Sequence, residues 1–363
     1  MLYPLGEFTL GLVRKLILIR GFWRIEAPEV CFKPQHGNIL SSMSSPKASL
    51  VYNPGSGRGQ GQKNATRFAT DWHSRFGTEV TLRPTQNYED IRVAAKETFS
   101  PAGVQVFMGG DGTFSECLQG LAELNNFAPL QTPVGLLPGG SGNSFLRDFD
   151  AHTYEVARDA IFEAVEKQET TPIDVGLCSY QEYDSTNPTQ PGQTLQRLSF
   201  NIWGLGLIAD IAALAIKMRF FGSLNYTVAT LIKLFVHRPT SLKTLLNGKA
   251  RNFASNMVCI SNSRYTGGAM EMAPTVRVND GKLFFVCSEI KSRLKLFGLF
   301  PSIFSGKHLE AEDMTAEFIE TASFEAPEPF FFNVDGELDW GFNPALKVQP
   351  GYFKLWMSPK RLK

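Results

Sequence analysis

The chain predicts an α/β domain with a parallel sheet and flanking helices, followed by an antiparallel β-sandwich domain. Three observations carry this. From about residue 48 to 168, apolar strand-like runs alternate with helix-patterned segments, the order that builds a parallel sheet with helices on its faces. Three of those runs end in glycine-rich turns: NPGSGRGQG (53–61), GGDGT (109–113) and PGGSGN (138–143). After about residue 170 the apolar runs shorten and turn residues separate them, as in a sandwich.

The elements follow in order. ASLVYN (48–53) reads as a strand, 63–76 as a helix, TEVTL (78–82) as a strand and 88–98 as a helix. VQVFM (104–108) is the next strand, 114–124 the next helix, and PVGLLP (133–138) the fourth strand, with helical patterning from the following turn to about 168. TPIDVGLCSY (171–180) is a strand, the polar QEYDSTNPTQPGQT (181–194) a surface loop by composition, and RLSFNIWG (197–204) one strand. Helical patterning covers about 208–236, and short strands follow in SLKTLLNG, FASNMVCISN, KLFFVCSEI, FFFNVDGE and YFKLWM. Three regions result: an extension (1–45), the α/β domain (46–170) and the β-rich domain (171–363).

Bulk properties exclude several classes. The 363 residues suffice for about two domains of ~100–200 residues each. A net charge of +1 gives no global drive toward nucleic acid, and none is expected as a partner. The five cysteines are scattered and odd in number, without zinc, redox or disulfide-framework spacing, so a reducing cytoplasmic setting is expected. No stretch reaches the ~18 uninterrupted apolar residues of a membrane span. In FTLGLVRKLILIRGFWRI (8–25), Arg14, Lys15, Arg20 and Arg24 interrupt the apolar run. That suits an interfacial amphipathic helix or an organelle transit segment better than a secretory signal, although Glu7, Glu26 and Glu29 weigh against transit. A disordered extension before Met43 is the plain alternative.

In an open parallel sheet, ligands bind beyond the carboxyl ends of the strands, where all three glycine-rich turns fall. Glycines let the backbone approach a ligand and turn its N–H groups toward an anion. Neither GxxxxGK[ST] nor an in-register GxGxxG is present, so the turns are not a Walker loop or a dinucleotide fingerprint. Asp111 within GGDGT is unusual for a phosphate cradle. As structure alone it is an N-cap for the next helix. As chemistry it holds Mg²⁺ through water or takes a proton from an attacking hydroxyl. Thr113 is a donor to a phosphate oxygen, and Glu116 on the first helical turn reads as a partner of the helix dipole. VDGE (334–337) reads locally as a hairpin turn.

NPGSGRGQG, GGDGTFSE, PGGSGN, GLGLIAD (204–210), GGAMEMAP (267–274), VNDG (278–281) and VDGE occur in this order. The ordered set, over about residues 46–357, resembles the catalytic fold of diacylglycerol and sphingosine kinases. GGDG alone also marks NAD kinases and phosphofructokinases. The resemblance implies an ATP-binding α/β domain, a β-sandwich lipid-substrate domain and an active site between them, with ATP and Mg²⁺ as cofactors. It implies nucleotide contacts from Asn53, Ser56, Gly57, Thr85, Gly110, Gly112, Thr113, Ser141, Lys217, Arg219 and Gly336. It further implies a lipid-head contact from Asp210 and a structural magnesium at Asp280. Asp111 and Glu337 are both catalytic, and which of them is the base stays open; Asp111 also faces the metal. Ser115 departs from the family's usual asparagine, and Leu214 from the acidic residue of sphingosine kinases. Phosphoryl transfer from ATP to a sphingoid base, diacylglycerol or related lipid is expected, with Asp210 tilting toward sphingoid bases. Peripheral membrane contact is expected, and a homodimer is compatible. The rivals are an NAD kinase-like soluble-substrate kinase and a catalytically silent lipid-binding protein. The Phe- and Leu-rich stretches 214–238 and 295–308 read as core segments or as membrane-facing and acyl-chain surfaces.

Overall fold

The computed structural model describes residues 46–140, 142–183, 191–217, 228–230, 232–233, 240–325 and 328–363. The extension 1–45 lies outside the described residues. Four parallel strands open the fold: β1 (Ala48–Tyr52), β2 (Val80–Pro84), β3 (Val104–Gly109) and β4 (Val134–Pro138), in the order β2-β1-β3-β4. β1, β3 and β4 are almost wholly buried because helices cover both faces, which is why they read as continuous apolar runs. The helices are the short turn α1 (Ser56–Gly59), α2 (Gly61–Phe76), α3 (Asp90–Glu97), α4 (Asp111–Leu124) and α5 (Tyr154–Lys167). Phe68 and Trp72 of α2 pack edge-on against Phe162 of α5, filling one flank of the core.

The second lobe is antiparallel and forms a β-sandwich. It comprises β5 (Thr171–Tyr183), β6 (Pro191–Ser199), β7 (Ile202–Gly206), α6 (Leu207–Lys217), β8 (Thr240–Leu246), β9 (Lys249–Ser255) and β10 (Met257–Ser261). The short pair β11 (Tyr265–Thr266) and β12 (Met270–Glu271) precedes β13 (Leu283–Ser288) and α7 (Arg293–Leu299). β14 (Met314–Ile319), β15 (Thr321–Glu325), β16 (Phe330–Val334) and β17 (Glu337–Leu355) complete it. β17 joins the two lobes. It pairs antiparallel with β5, β15 and β16, then parallel with β4 through Leu355 and Val134. Its last turn of chain, Tyr352–Met357, is buried in the core of the first lobe.

Three readings of the sequence change here. The polar 181–194 segment is not a loop throughout: β5 runs to Tyr183 and β6 starts at Pro191, pairing Gln181 with Thr194. Pro191, Gln193 and Thr194 are exposed, and residues 184–190 lie outside the described residues. RLSFNIWG is not one strand; it breaks at Phe200 and Asn201 between β6 and β7. The helix expected directly after PGGSGN is a 3-10 turn, Phe145–Phe149, before α5. The helical patterning over 208–236 yields α6, and most of its remainder lies outside the described residues.

The lobes are also tied by charge. Glu116, 1% exposed, accepts from the Arg92 guanidinium of α3 and from Arg197 of β6 at 3.0 Å. Arg92 reaches Glu123 at 2.8 Å, and Arg197 lies 3.8 Å from Asp339 of β17. Glu116 is therefore a buried bridge between lobes, not merely a partner of the helix dipole. Its side chain projects from α4 toward α3 and the second lobe, where two guanidiniums converge. Glu116→Gln should lower unfolding free energy by about 1–3 kcal/mol, since Arg92 and Arg197 each lose one of two carboxylate partners while keeping Glu123 and Asp339. Urea denaturation of both proteins checks this.

Candidate active site

The glycine-rich turns interlock at the carboxyl ends of β1, β3 and β4. Gly139 and Gly140 donate their N–H groups to the Gly109 carbonyl at 2.7 and 3.2 Å. A Cβ on Gly140 would stand 2.6 Å from the Gly110 Cα, so a side chain there would drive the turns apart. Asn53 shapes the first turn: its Oδ1 accepts the Gly55 N–H at 2.9 Å and its carbonyl accepts the Ser56 hydroxyl at 2.8 Å. Gly57 then turns left-handed at φ 58°, over the Gly139 carbonyl. Thr85 is buried and donates its N–H to the Tyr52 carbonyl at 2.9 Å, fixing the end of β2 beside that of β1. Thr113 folds back over Gly109, where any Cβ would collide with it.

Gly110, in extended conformation, caps α4 and, being glycine, offers no side chain of its own to the helix N-terminus. Asp111 is thus the first helical residue and not the N-cap. Its carboxylate points away from α4, accepting the Ser144 N–H at 2.9 Å and the Phe145 N–H at 3.2 Å. It caps the following 3-10 turn instead. Burial raises its pKa, opposed by these backbone bonds and by nearby Arg147. Asn143 closes its own turn by exchanging bonds with Gly140.

The second lobe delivers VDGE to this point. Asp335 and Gly336 have φ of 53° and 101°, which makes a two-residue hairpin turn between β16 and β17. The Glu337 Oε1 lies 3.9 Å from where a Gly112 Cβ would stand, so the carboxylate overhangs the start of α4. Gly336 donates its N–H to Asn333 Oδ1 at 3.2 Å. Asp335, whose role the sequence reading missed, is 6% exposed. It accepts the N–H groups of Phe200, Asn201 and Ile202 at 3.0, 3.0 and 2.8 Å, and hydroxyls of Ser115 and Ser199 at 3.2 and 3.4 Å. The break between β6 and β7 exists because these amides turn to Asp335. Ser115 has a use of its own at this position. The available signal was a non-glycine residue before glycine in a tight turn, a place where aspartate tolerates positive φ.

A cavity of about 590 Å³ opens between these groups and the second lobe. Gly110, Asp111, Gly112, Asn333, Asp335 and Glu337 line one part; Ile202, Leu207, Ile208, Ile211, Leu296 and Ile303 line another. Gly268 closes the seam, donating its N–H to Ser144 Oγ at 2.8 Å. Asn53, Ser56, Gly57 and Thr85 lie outside this lining, at the neighbouring strand ends. Asp210 is also absent from the lining and lies 3.6 Å from Lys233. On α6 it is Leu207, Ile208 and Ile211 that face the cavity. Asp280 accepts the Lys282 N–H at 3.0 Å in its own turn, beside buried Asp174 and away from the cavity. Ser141 and Arg219 lie outside the described residues; Lys217 closes α6. The segment 295–308 is not plain core: Leu296, Leu299, Phe300 and Ile303 line the cavity, whereas Phe297 and Phe304 are exposed.

Glycine-lined backbone at an uncapped helix start suits an anion, and two carboxylates beside it suit proton or metal chemistry at a phosphate. Similarity to known proteins points to the same class. The model of the diacylglycerol kinase catalytic domain matches residues 47–178, and that of the YegS C-terminal NAD kinase beta sandwich-like domain matches residues 203–357. The chain belongs to the diacylglycerol kinase-like family of lipid kinases. A diacylglycerol kinase of Mycobacterium tuberculosis is 25% identical over 77% of this chain and 85% of its own length. One from Bacillus subtilis is 23% identical over 80% and 89%. Two solved Bacillus anthracis chains share the fold. One, a diacylglycerol kinase, has a TM-score of 0.62 at 17% identity, covering 88% of this chain and 99% of its own. The other has a TM-score of 0.67 at 20% identity, covering 89% and 99%.

Burial pushes the Asp335 pKa up from 3.8 to about 6, against the pull of its backbone donors. The folded pKa exceeds the unfolded one, so this group's contribution to stability is present at low pH and is lost as pH rises through about 6. Protonation, however, weakens the three amide bonds that set the VDGE turn. Lipid phosphorylation should therefore fall as pH drops through about 6 with no loss of thermal midpoint arising from Asp335. A pH–rate profile with melting curves across the same window tests this; an acid limb that tracks unfolding would contradict it.

Proposed function

We propose that the protein transfers the γ-phosphate of ATP to a hydroxyl of a lipid such as a diacylglycerol or a sphingoid base. The observation that carries this reading is a cavity whose glycine- and carboxylate-lined part continues into an apolar part. Asn53, Ser56, Gly57 and Thr85 form the neighbouring edge for the nucleotide, and Gly110, Gly112 and the α4 N-terminus receive its phosphates. Diacylglycerol is favoured over a sphingoid base, because Asp210, the residue that tilted toward a sphingoid head, lies off the cavity. That cavity also favours a lipid over the soluble substrate of an NAD kinase.

Among the described residues no group of three or more His, Cys, Asp or Glu gathers to hold a metal. The donors fit Mg²⁺ carried by the nucleotide phosphates, with Asp111 as the protein's acidic contribution; the ion would neutralise phosphate charge. Asp111 also sets the 144–145 backbone, which fixes the position of its own oxygens. Glu337 reaches the helix start from the opposite lobe, the side on which the lipid hydroxyl would enter, and is the base in this reading. Asp280, beside Asp174, is the residue to test as a structural-metal ligand. Contact with a membrane surface is supported by exposed Leu294, Phe297 and Phe304 among Lys291, Arg293 and Lys307, on the segment whose inner face lines the cavity.

Labelled ATP, Mg²⁺ and a panel of micellar lipids form the test, on wild type, Asp111→Asn and Glu337→Gln. Labelled lipid should appear with wild type, and both substitutions should cut turnover by about 100-fold or more, in the range of lost acid–base catalysis. Asp111→Asn should also be less stable, since an amide nitrogen cannot accept the second of its two N–H bonds. Near-normal turnover by Glu337→Gln would remove it as the base.

A further inference from the structure

Ser288 and His308 stand out inside the cavity. Both line it, each is 1% exposed, and among the described residues neither the Ser288 hydroxyl nor either His308 ring nitrogen has a hydrogen-bond partner. Among the described residues with such unpartnered buried side-chain atoms, only these two line the cavity. Buried polar groups are normally satisfied, and an exception needs a reason. A cavity built only for hydrocarbon would use leucine or methionine, as its walls do at Leu296, Met257, Met272 and Met314.

Both side chains sit on fixed supports. Ser288 ends β13, in register with Met257 and Met314, and its carbonyl accepts the Asn256 N–H at 2.9 Å. His308 follows Gly306, whose left-handed φ of 70° lets the chain press against Pro274. Burial lowers the His308 pKa; the Met272 carbonyl opposes this without reaching hydrogen-bonding geometry. A neutral imidazole offers one donor and one acceptor, and a serine hydroxyl offers both. Each matches an oxygen function placed beside it, a carbonyl that accepts or a hydroxyl that accepts and donates.

We propose that the lipid carries, beyond the hydroxyls of its head, a second oxygen function, a carbonyl or hydroxyl, which Ser288 and His308 bind within the apolar cavity. This deepens the lipid-kinase reading and rests on it for the identity of the occupant as a lipid. A site built to hydrogen-bond such a group discriminates against the analogue that lacks it, because its own polar atoms are then buried unpaired.

The test is equilibrium binding of tritiated lipids in mixed micelles, without ATP. The reference is hexadecylglycerol, an ether with a plain chain. The comparison lipids are hexadecanoylglycerol, which adds an ester carbonyl, and hexadecylglycerols with a hydroxyl or an oxo group walked along the chain. At least one should bind wild type about tenfold more tightly than the plain ether, and which one does so separates carbonyl from hydroxyl. His308→Leu combined with Ser288→Ala should abolish that preference while binding the plain ether as well or better. Equal binding of the plain ether and every oxygenated lipid to wild type would overturn the proposal without recourse to a variant. So would a folded double variant that keeps the preference. Discrimination without any phosphoryl transfer would remove the kinase reading and leave the binding site; transfer without discrimination would do the reverse.

Discussion

The carboxylate of Asp335 is the interaction on which the site depends. It gathers three consecutive backbone amides, Phe200 to Ile202, and the Ser115 hydroxyl of α4. One buried group thereby orients the VDGE turn, breaks the strand between β6 and β7, and ties both to the helix that opens beside Asp111. Without its carboxyl group the three amides would be buried unpaired, a cost of about 1–3 kcal/mol for each group.

The frame around that contact explains why two lobes can share one site. β17 begins at Glu337 and ends beside β4, so a single strand runs from the site into the first lobe's core. Glu116, Arg92 and Arg197 lock the same seam from the side. A charge-dense seam around an apolar cavity suits a substrate with a polar head and a long chain, since head and chain meet different walls.

The strands and helices of the first lobe were largely legible because buried parallel strands read as apolar runs and glycines mark their ends. The site was legible only as an ordered series of turns. Asp111 and Glu337 could be named, but their separate settings could not. Asp111 read as a cap for its own helix and instead caps the next turn, because the orientation of its side chain depends on where the 144–145 backbone passes. Glu116 read as a dipole partner and proved a buried bridge, because Arg92 and Arg197 arrive from other elements. Asp210 read as a head-group contact on its motif, yet helix rotation turns Leu207, Ile208 and Ile211 to the cavity instead.

What the sequence determined by itself was the order of local structures, and with it the class: steric rules make glycine the residue of close turns, and hydrophobic period separates strand from helix. What only the tertiary structure decided was partnership. Asp335 and its three amides, and Glu116 and its two guanidiniums, lie far apart in the chain. Hydrogen bonds and charge pairing act over a few ångströms of space, and nothing local in a sequence encodes which distant segments come that close.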